Sequence, residues 1–316
     1  MRRVLFVAVG IALGTAALRA QAPERPAPFY IRPVALFSEH LYEGAFEAPM
    51  GICFDPHANE VWVADAKNNL VGAFTPEGVP LFAFRGDDLR EPSKVAVDPK
   101  GRVYVLDNDR SRIKLFSYRG EPLGDANLSG VSGKVSFGAI AFDAEGNLYA
   151  GENESCQVRV FGPDGKARAR FGECGIDPGQ FQAITGIAVT KDSIVVTDAQ
   201  AVSVQVFDRR GNFVRGWGKH DMGIQNFSLP QSVAVDSLGR VIAIDTLRHE
   251  IKFFDREGNF LDRFGGLGWR LGQVAYPTGI AIDSSDRLFV VEKGNARVQV
   301  FVEAVGRPGD ANGPSR

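Results

Sequence analysis

Carboxylates recur in this sequence at two regular places. One series is Asp55, Asp98, Asp143, Asp236 and Asp283, each opening a turn such as Asp98-Pro-Lys-Gly101; the other is Asp65, Asp107, Glu152, Asp198, Asp245 and Glu292. Gathered together, carboxylates hold a hard cation, whose oxygen ligands sit about 2.3–2.6 Å from the ion. Spaced singly, each instead accepts hydrogen bonds from the amides of its own turn. The four histidines, His40, His57, His220 and His249, share no spacing, whereas a tetrahedral metal needs three or four converging ligands. Gly-x-Ser-x-Gly is absent, and Gly265-Gly-Leu-Gly268 is followed by neither a lysine nor a helical pattern, so neither a nucleophile elbow nor a phosphate loop is indicated. No residue is therefore assigned a catalytic, cofactor-binding or metal-ligating role.

The elements that carry these residues repeat. Pro49-Met-Gly-Ile-Cys-Phe-Asp55 returns as Pro92 to Asp98, Phe137 to Asp143, Ile184 to Thr190, Pro230 to Asp236 and Pro277 to Asp283, at intervals of 43, 45, 47, 46 and 47 residues. A fixed period of that size marks stacked units. Within each unit, short β-branched and aromatic runs alternate with Asp/Gly turns, the pattern of a four-stranded antiparallel meander. Such a sheet cannot cover both its faces alone, so six units must pack around an axis as an all-β, six-bladed β-propeller. Phe74, Phe116, Phe161, Phe207, Phe254 and Phe301 recur near the end of each third strand and are expected to pack between blades. The sixth unit stops after Arg297-Val-Gln-Val-Phe301, while Pro33-Val-Ala-Leu-Phe37 is a strand with no unit of its own. The two are expected to complete each other, closing the last blade with an N-terminal strand and removing an exposed edge.

This geometry bears on the chemistry. Equivalent atoms on a six-fold ring are as far from each other as from the axis, so carboxylates on second strands cannot share one ion; capping of the next loop is expected, or an electronegative face for a basic partner. Among the three cysteines, Cys156 begins a third strand and Cys174 follows a fourth. They are the candidate disulfide pair, although an offset of three residues must be absorbed to bring their Cα atoms within about 7 Å. Cys53 falls in a core strand as an inert thiol.

The Pro-x-Gly-Ile-Ala-Val-Asp opening, the Val290-Val291-Glu292 strand end, Asn295 and Arg297-Val298-Gln299-Val300-Phe301 resemble the NHL repeat family, over about residues 33 to 302. The third and fourth units depart most, with Phe137 or Ile184 in place of Pro and Thr190 in place of Asp. Enzymes similar to this architecture include amidating lyases, with histidine-bound zinc, and lactonase-like propellers, with an axial calcium. The resemblance implies metal ligands at the start of innermost strands, where this chain has Met50, Ser93, Gly138, Thr185, Gln231 and Thr278.

Loops over a rigid scaffold are where binding residues collect, and aromatic and Arg side chains are their usual anchors. The connections from fourth to first strands and from second to third strands share one face. They carry Trp269, Arg270, Tyr276, Arg248, His249, Arg110, Arg112, His220 and Asp221, the candidate partner-binding residues, with Lys134, Phe181 and Phe227 nearby; the last two also suit a role as plugs between blades. The net charge of -2 provides no basic field for nucleic acid. Met1-Arg2-Arg3, the apolar run Val4 to Leu18 and the small-residue exit to Gln21 read as a signal peptide over 1–20, too short to span a membrane; an uncleaved anchor is the alternative. Residues 21–32 and 303–316 are expected to be flexible around a propeller at 33–302. The expectation is an exported bacterial protein, periplasmic or extracellular, that binds a protein or peptide without catalysis. A small-molecule ligand, or a metal-dependent lyase or hydrolase over the central channel, is the alternative.

Overall fold

Short extended runs joined by tight turns can pair only with their neighbours, and that local pairing builds the whole molecule. The computed structural model describes residues 30–87 and 89–304. These form six four-stranded sheets and one two-stranded hairpin. The innermost strands are Pro49–Asp55, Lys94–Val97, Phe137–Phe142, Ile184–Val189, Pro230–Val235 and Pro277–Ile282. Each lies against the next and the sixth lies against the first, so the ring is closed. The hairpin, Glu39–His40 with Gly44–Ala45, stands between the closing strand and blade one.

The sixth blade takes its outermost strand from the start of the chain. Tyr30–Phe37 runs antiparallel to Arg297–Ala304, from Tyr30 opposite Ala304 to Phe37 opposite Val298. This pairing copies the other blades closely. In blades one to five the third-strand Phe sits at a one-residue bulge: Phe74 faces Pro80, Phe116 faces Pro122, Phe161 faces Ala167, Phe207 faces Phe213 and Phe254 faces Phe260. In blade six Phe301 faces Pro33 across the same bulge, which sharpens the local twist. The blade is longer than the expected 33–302: residues 30–32 and 303–304, expected to be flexible, are ladder-paired. The reason is that Ile31 packs against the core between blades five and six, so burial holds the extra turnless residues in the sheet. The expected leader at 1–20, and the rest of the flanking segments, lie outside the described residues.

All six third-strand Phe rings are buried and fill the seams between sheets. Phe37 stacks on Phe74 at 4.7 Å and Phe264 on Phe301 at 4.7 Å, so the seams on either side of the closing blade are packed like the rest. Phe181 and Phe227, also buried, contact Phe207 and Phe254 at 5.4 and 5.9 Å. They are plugs and not part of a binding surface.

Candidate functional site

Both carboxylate series are consumed locally. At the turn face, Asp98 accepts from the Lys100 and Arg102 amides and from Arg102 Nε. Asp236 and Asp283 repeat the pattern with Arg240 and Arg287. Thr190, which stands in for Asp, offers its hydroxyl oxygen to the Asp192 and Ser193 amides at 3.3 and 3.0 Å. At the loop face the second series bridges adjacent loops. Asp198 accepts four backbone N–H groups, from Gln182, Ala183, Gln200 and Ala201, all at 2.8–2.9 Å. Asp245 takes the Ser228 and Leu229 amides, and Glu292 the Ala275 amide. Each of these carboxylates is buried and none faces a neighbour of its own series. Among the described residues no three His, Cys, Asp or Glu side chains converge as a metal site.

Five blades add a cationic or amide side chain from the third strand, two residues out of register with the carboxylate: Lys114, Arg159, Gln205, Lys252 and Gln299. Lys114, Arg159 and Lys252 pair with Asp107, Glu152 and Asp245, and Gln299 donates to Glu292. Blade one has Gly72 there, and a Cβ on it would lie 2.3 Å from His40 Nδ1. His40, from the extra hairpin, fills that space and places Nε2 3.3 Å from Asp65. Burial alone would push the Asp65 carboxyl up, but hydrogen bonds from His40, the Ala48 and Glu47 amides and Asn68 outweigh it and hold it below the ordinary value. His40 is therefore a structural substitute for a missing side chain.

The loop residues singled out by sequence separate into groups. Arg248 is tied to the Asp221 and Gly223 carbonyls and to Ser228 Oγ. Asp221 is held by the Gly223 amide and Asn226, and His220 Nε2 meets the Ala201 carbonyl at 3.1 Å. These three stitch loops together. Arg112 pairs with Asp109 and with Asp125 of the outermost strand of blade two, which sets it at the periphery. His249 Nδ1 accepts the Tyr276 amide at 3.0 Å and the two rings meet edge to face, both residues in the left-handed region.

Trp269 and Arg270 stand apart. Trp269 is 78% exposed, with Leu267 and Leu271 exposed beside it, yet the loop beneath is fixed. Arg297, paired with the buried Glu292, donates to the Trp269, Arg270 and Gln273 carbonyls at 2.8, 3.3 and 3.0 Å, and Asn295 donates to the Gly268 carbonyl.

The axis holds a residue that the sequence reading passed over. An axial channel of about 450 Å³ is lined by innermost strands of all six blades, mainly by Ile, Val, Phe and Ala. At its loop-face end Lys94 of blade two reaches across to blade five and donates to the Gln231 carbonyl at 3.1 Å. Gln231 in turn lines a second cavity of about 480 Å³, together with Met50, Thr246, Tyr276, Thr278, Lys293 and Gly294. Among the described residues no carboxylate pairs with Lys94; Asp107, which follows its register partner Leu106, is turned to the Arg90 and Asp109 amides and Lys114. Burial, and secondarily the Arg110 guanidinium, lowers the Lys94 amine from 10.5 to about 8. The sequence signal was available. In the other five repeats this position is Gly51, Ala139, Gly186, Ser232 and Gly279, small because first strands crowd together there: a Cβ on Gly51 would lie 2.7 Å from Lys94 Cα.

Cys156 and Cys174 are joined in a disulfide with Cα atoms 4.9 Å apart. The bulge beside Phe161 sets Val158 opposite Phe171, so position 156 faces 173 and most of the three-residue offset disappears. Cys53 lines the axial channel and is partly open to it. Burial first, then the Asp55 charge, push its thiol far above the usual range, so it is held as the weakly reactive thiol.

Comparison with known proteins accords with this architecture. The NHL repeat family matches residues 89–116 and 275–301. The protein brain tumor of Drosophila melanogaster is 27% identical over 109 residues, 34% of this chain and 10% of that protein, so the likeness spans about a tenth of the relative's length. A streptogramin B lyase structure superposes with a TM-score of 0.62 at 13% identity, covering 87% of this chain and 98% of the other. A luciferin-regenerating enzyme superposes at 0.63 and 13%, covering 88% and 95%; at such identities the likeness is one of fold. With the period, the closed ring and the matched repeats in agreement, the chain is a six-bladed β-propeller carrying NHL repeats.

Proposed function

We propose that this propeller is an exported binding protein that engages a protein or peptide partner through its loop face, with Trp269 as the anchor. The observation that carries the reading is the contrast at Trp269: a large aromatic left exposed on a loop whose backbone is held by the buried Glu292–Arg297 pair. An aromatic side chain on an already ordered loop leaves only its own two torsions to be fixed on binding, which is how aromatic anchors concentrate affinity. Arg112, Asp221 and Arg248 are spent on holding loops and strands, so they act as scaffold. The Cys156–Cys174 bond supports export, since structural disulfides persist in oxidising compartments. A metal-dependent lyase or hydrolase has less support, because no donor set converges among the described residues.

Affinity capture from periplasmic or secreted fractions, with the parent chain and the Trp269→Ala, Arg270→Ala double variant side by side, tests the proposal. The partner should be lost from the variant while thermal unfolding stays within about 0.5 kcal/mol of the parent, as for other exposed positions. Undiminished capture by the variant would remove Trp269 as the anchor.

A further inference from the structure

The loop-face mouth of the channel contains an amine that no carboxylate among the described residues answers. Lys94 uses one N–H on the Gln231 carbonyl, and its remaining donors have no partner among the described residues. Around it the charges are of one sign: Arg110 is near enough to act on the amine, and Lys293 lines the second cavity. The channel carboxylates Asp55 and Asp143 lie at the ends of their strands, at the turn face, some 13 Å away at about 3.3 Å per residue. Cys53 faces the channel as a neutral thiol. The hydroxyls of the mouth are already directed at backbone, Thr246 to the Pro277 carbonyl at 2.6 Å and Thr278 to the Pro49 carbonyl at 3.4 Å.

A cation partly removed from water and without a counter-ion is costly, and a chain keeps one where something else supplies the charge. We infer that the loop-face mouth is a binding site for a compact carboxylate, which pairs with the Lys94 amine against the apolar flank of Met50 and beneath Tyr276. A single amine with two free donors matches the two oxygens of a carboxylate. A phosphate would call for a cradle of free backbone amides, whereas the Lys293 and Gly294 amides of the mouth are already bonded to the Tyr276 and Ala275 carbonyls. The carboxylate belongs either to a small organic acid or to the C-terminus of a peptide; in both cases the amine sees the same group. This site does not depend on Trp269 or on the partner reading.

Calorimetric titration of the full chain with succinate, and in parallel with a hexapeptide carrying a free or an amidated C-terminus, distinguishes the two sources. Binding of succinate alone assigns a small acid; binding of the free peptide and loss on amidation assigns a chain terminus. In either case Lys94→Met should weaken binding at least tenfold. Lys94→Arg, which keeps the charge, should bind and lose the fall in affinity that the parent shows above pH 8, where its amine becomes neutral. In the parent protein, the NMR titration midpoint of the Lys94 amine should rise on saturation with the bound probe, because ligand and proton stabilise each other. The site is overturned by absence of binding of all three probes, by an affinity in Lys94→Met within twofold of the parent, or by an unmoved midpoint.

Discussion

Two lysines, Lys252 buried and Lys94 half-buried, occupy opposite sides of the same ring and have been put to different use. Lys252, in blade five, is fully enclosed, with its amine 3.1 Å from Asp245, hydrogen-bonded to the Asn226 carbonyl and 4.6 Å from the centre of the Phe227 ring. Lys94, in blade two, has the Gln231 carbonyl alone. Burial lowers both amines and outweighs Asp245 in the first case. What separates them is the company each keeps: Lys252 neutralises a carboxylate that also holds two loop amides, so it belongs to the scaffold. Lys94 neutralises no carboxylate among the described residues. A buried charge is informative less by its depth than by whether its neighbours have already compensated it.

Substitution should divide the pair by sign. Lys252→Met leaves Asp245 buried with fewer partners and should cost about 3–5 kcal/mol, read from urea unfolding; a loss below about 1 kcal/mol would erase the distinction. His40→Ala removes the blade-one counterpart and opens a cavity beside Gly72, for an expected loss of about 2–4 kcal/mol by the same measurement. Lys94→Met should instead stabilise the fold, by about 1–3 kcal/mol, because it removes an uncompensated charge and leaves no orphaned carboxylate. The same burial sets a pH dependence. The folded value of about 8 lies below the unfolded 10.5, so between them the unfolded chain binds more protons and stability rises with pH. Parent minus Lys94→Met, followed by thermal unfolding from pH 7 to 10.5, should show that rise; a flat difference would mean the amine is better solvated than its surroundings imply.

The fold was legible because it is periodic. The repeat gave the six blades, the Phe seams and the closing strand. It also exposed Lys94, as a charged residue in a column otherwise Gly, Ala or Ser, but that column was read for metal ligands one position too early, at Ser93. His40 was illegible for another reason. Its role follows from the absent side chain of Gly72 thirty-two residues later, a compensation between an insertion and a repeat that no local pattern records. Tyr30–Arg32 were expected to be flexible, whereas they pair with Val302–Ala304 and Ile31 packs against the neighbouring blade, a contact that no local pattern announces. Arg112, His220 and Asp221 were chosen for residue type, whereas their hydrogen bonds show that an exposed loop can spend its charges on itself.

The closing strand leaves the two ends of the ring facing each other, with Tyr30 directly opposite Ala304. Across an antiparallel ladder such partners are about 4.5–5.5 Å apart, within the span of a two-residue hairpin link. Topologically the propeller is thus a circle cut once, at the outer edge of blade six, and the location of the cut is incidental to its architecture. A circular permutant with that edge joined and a new start in an exposed turn, such as Ala144-Glu145, would retain every strand pairing and convert the composite blade into an ordinary meander.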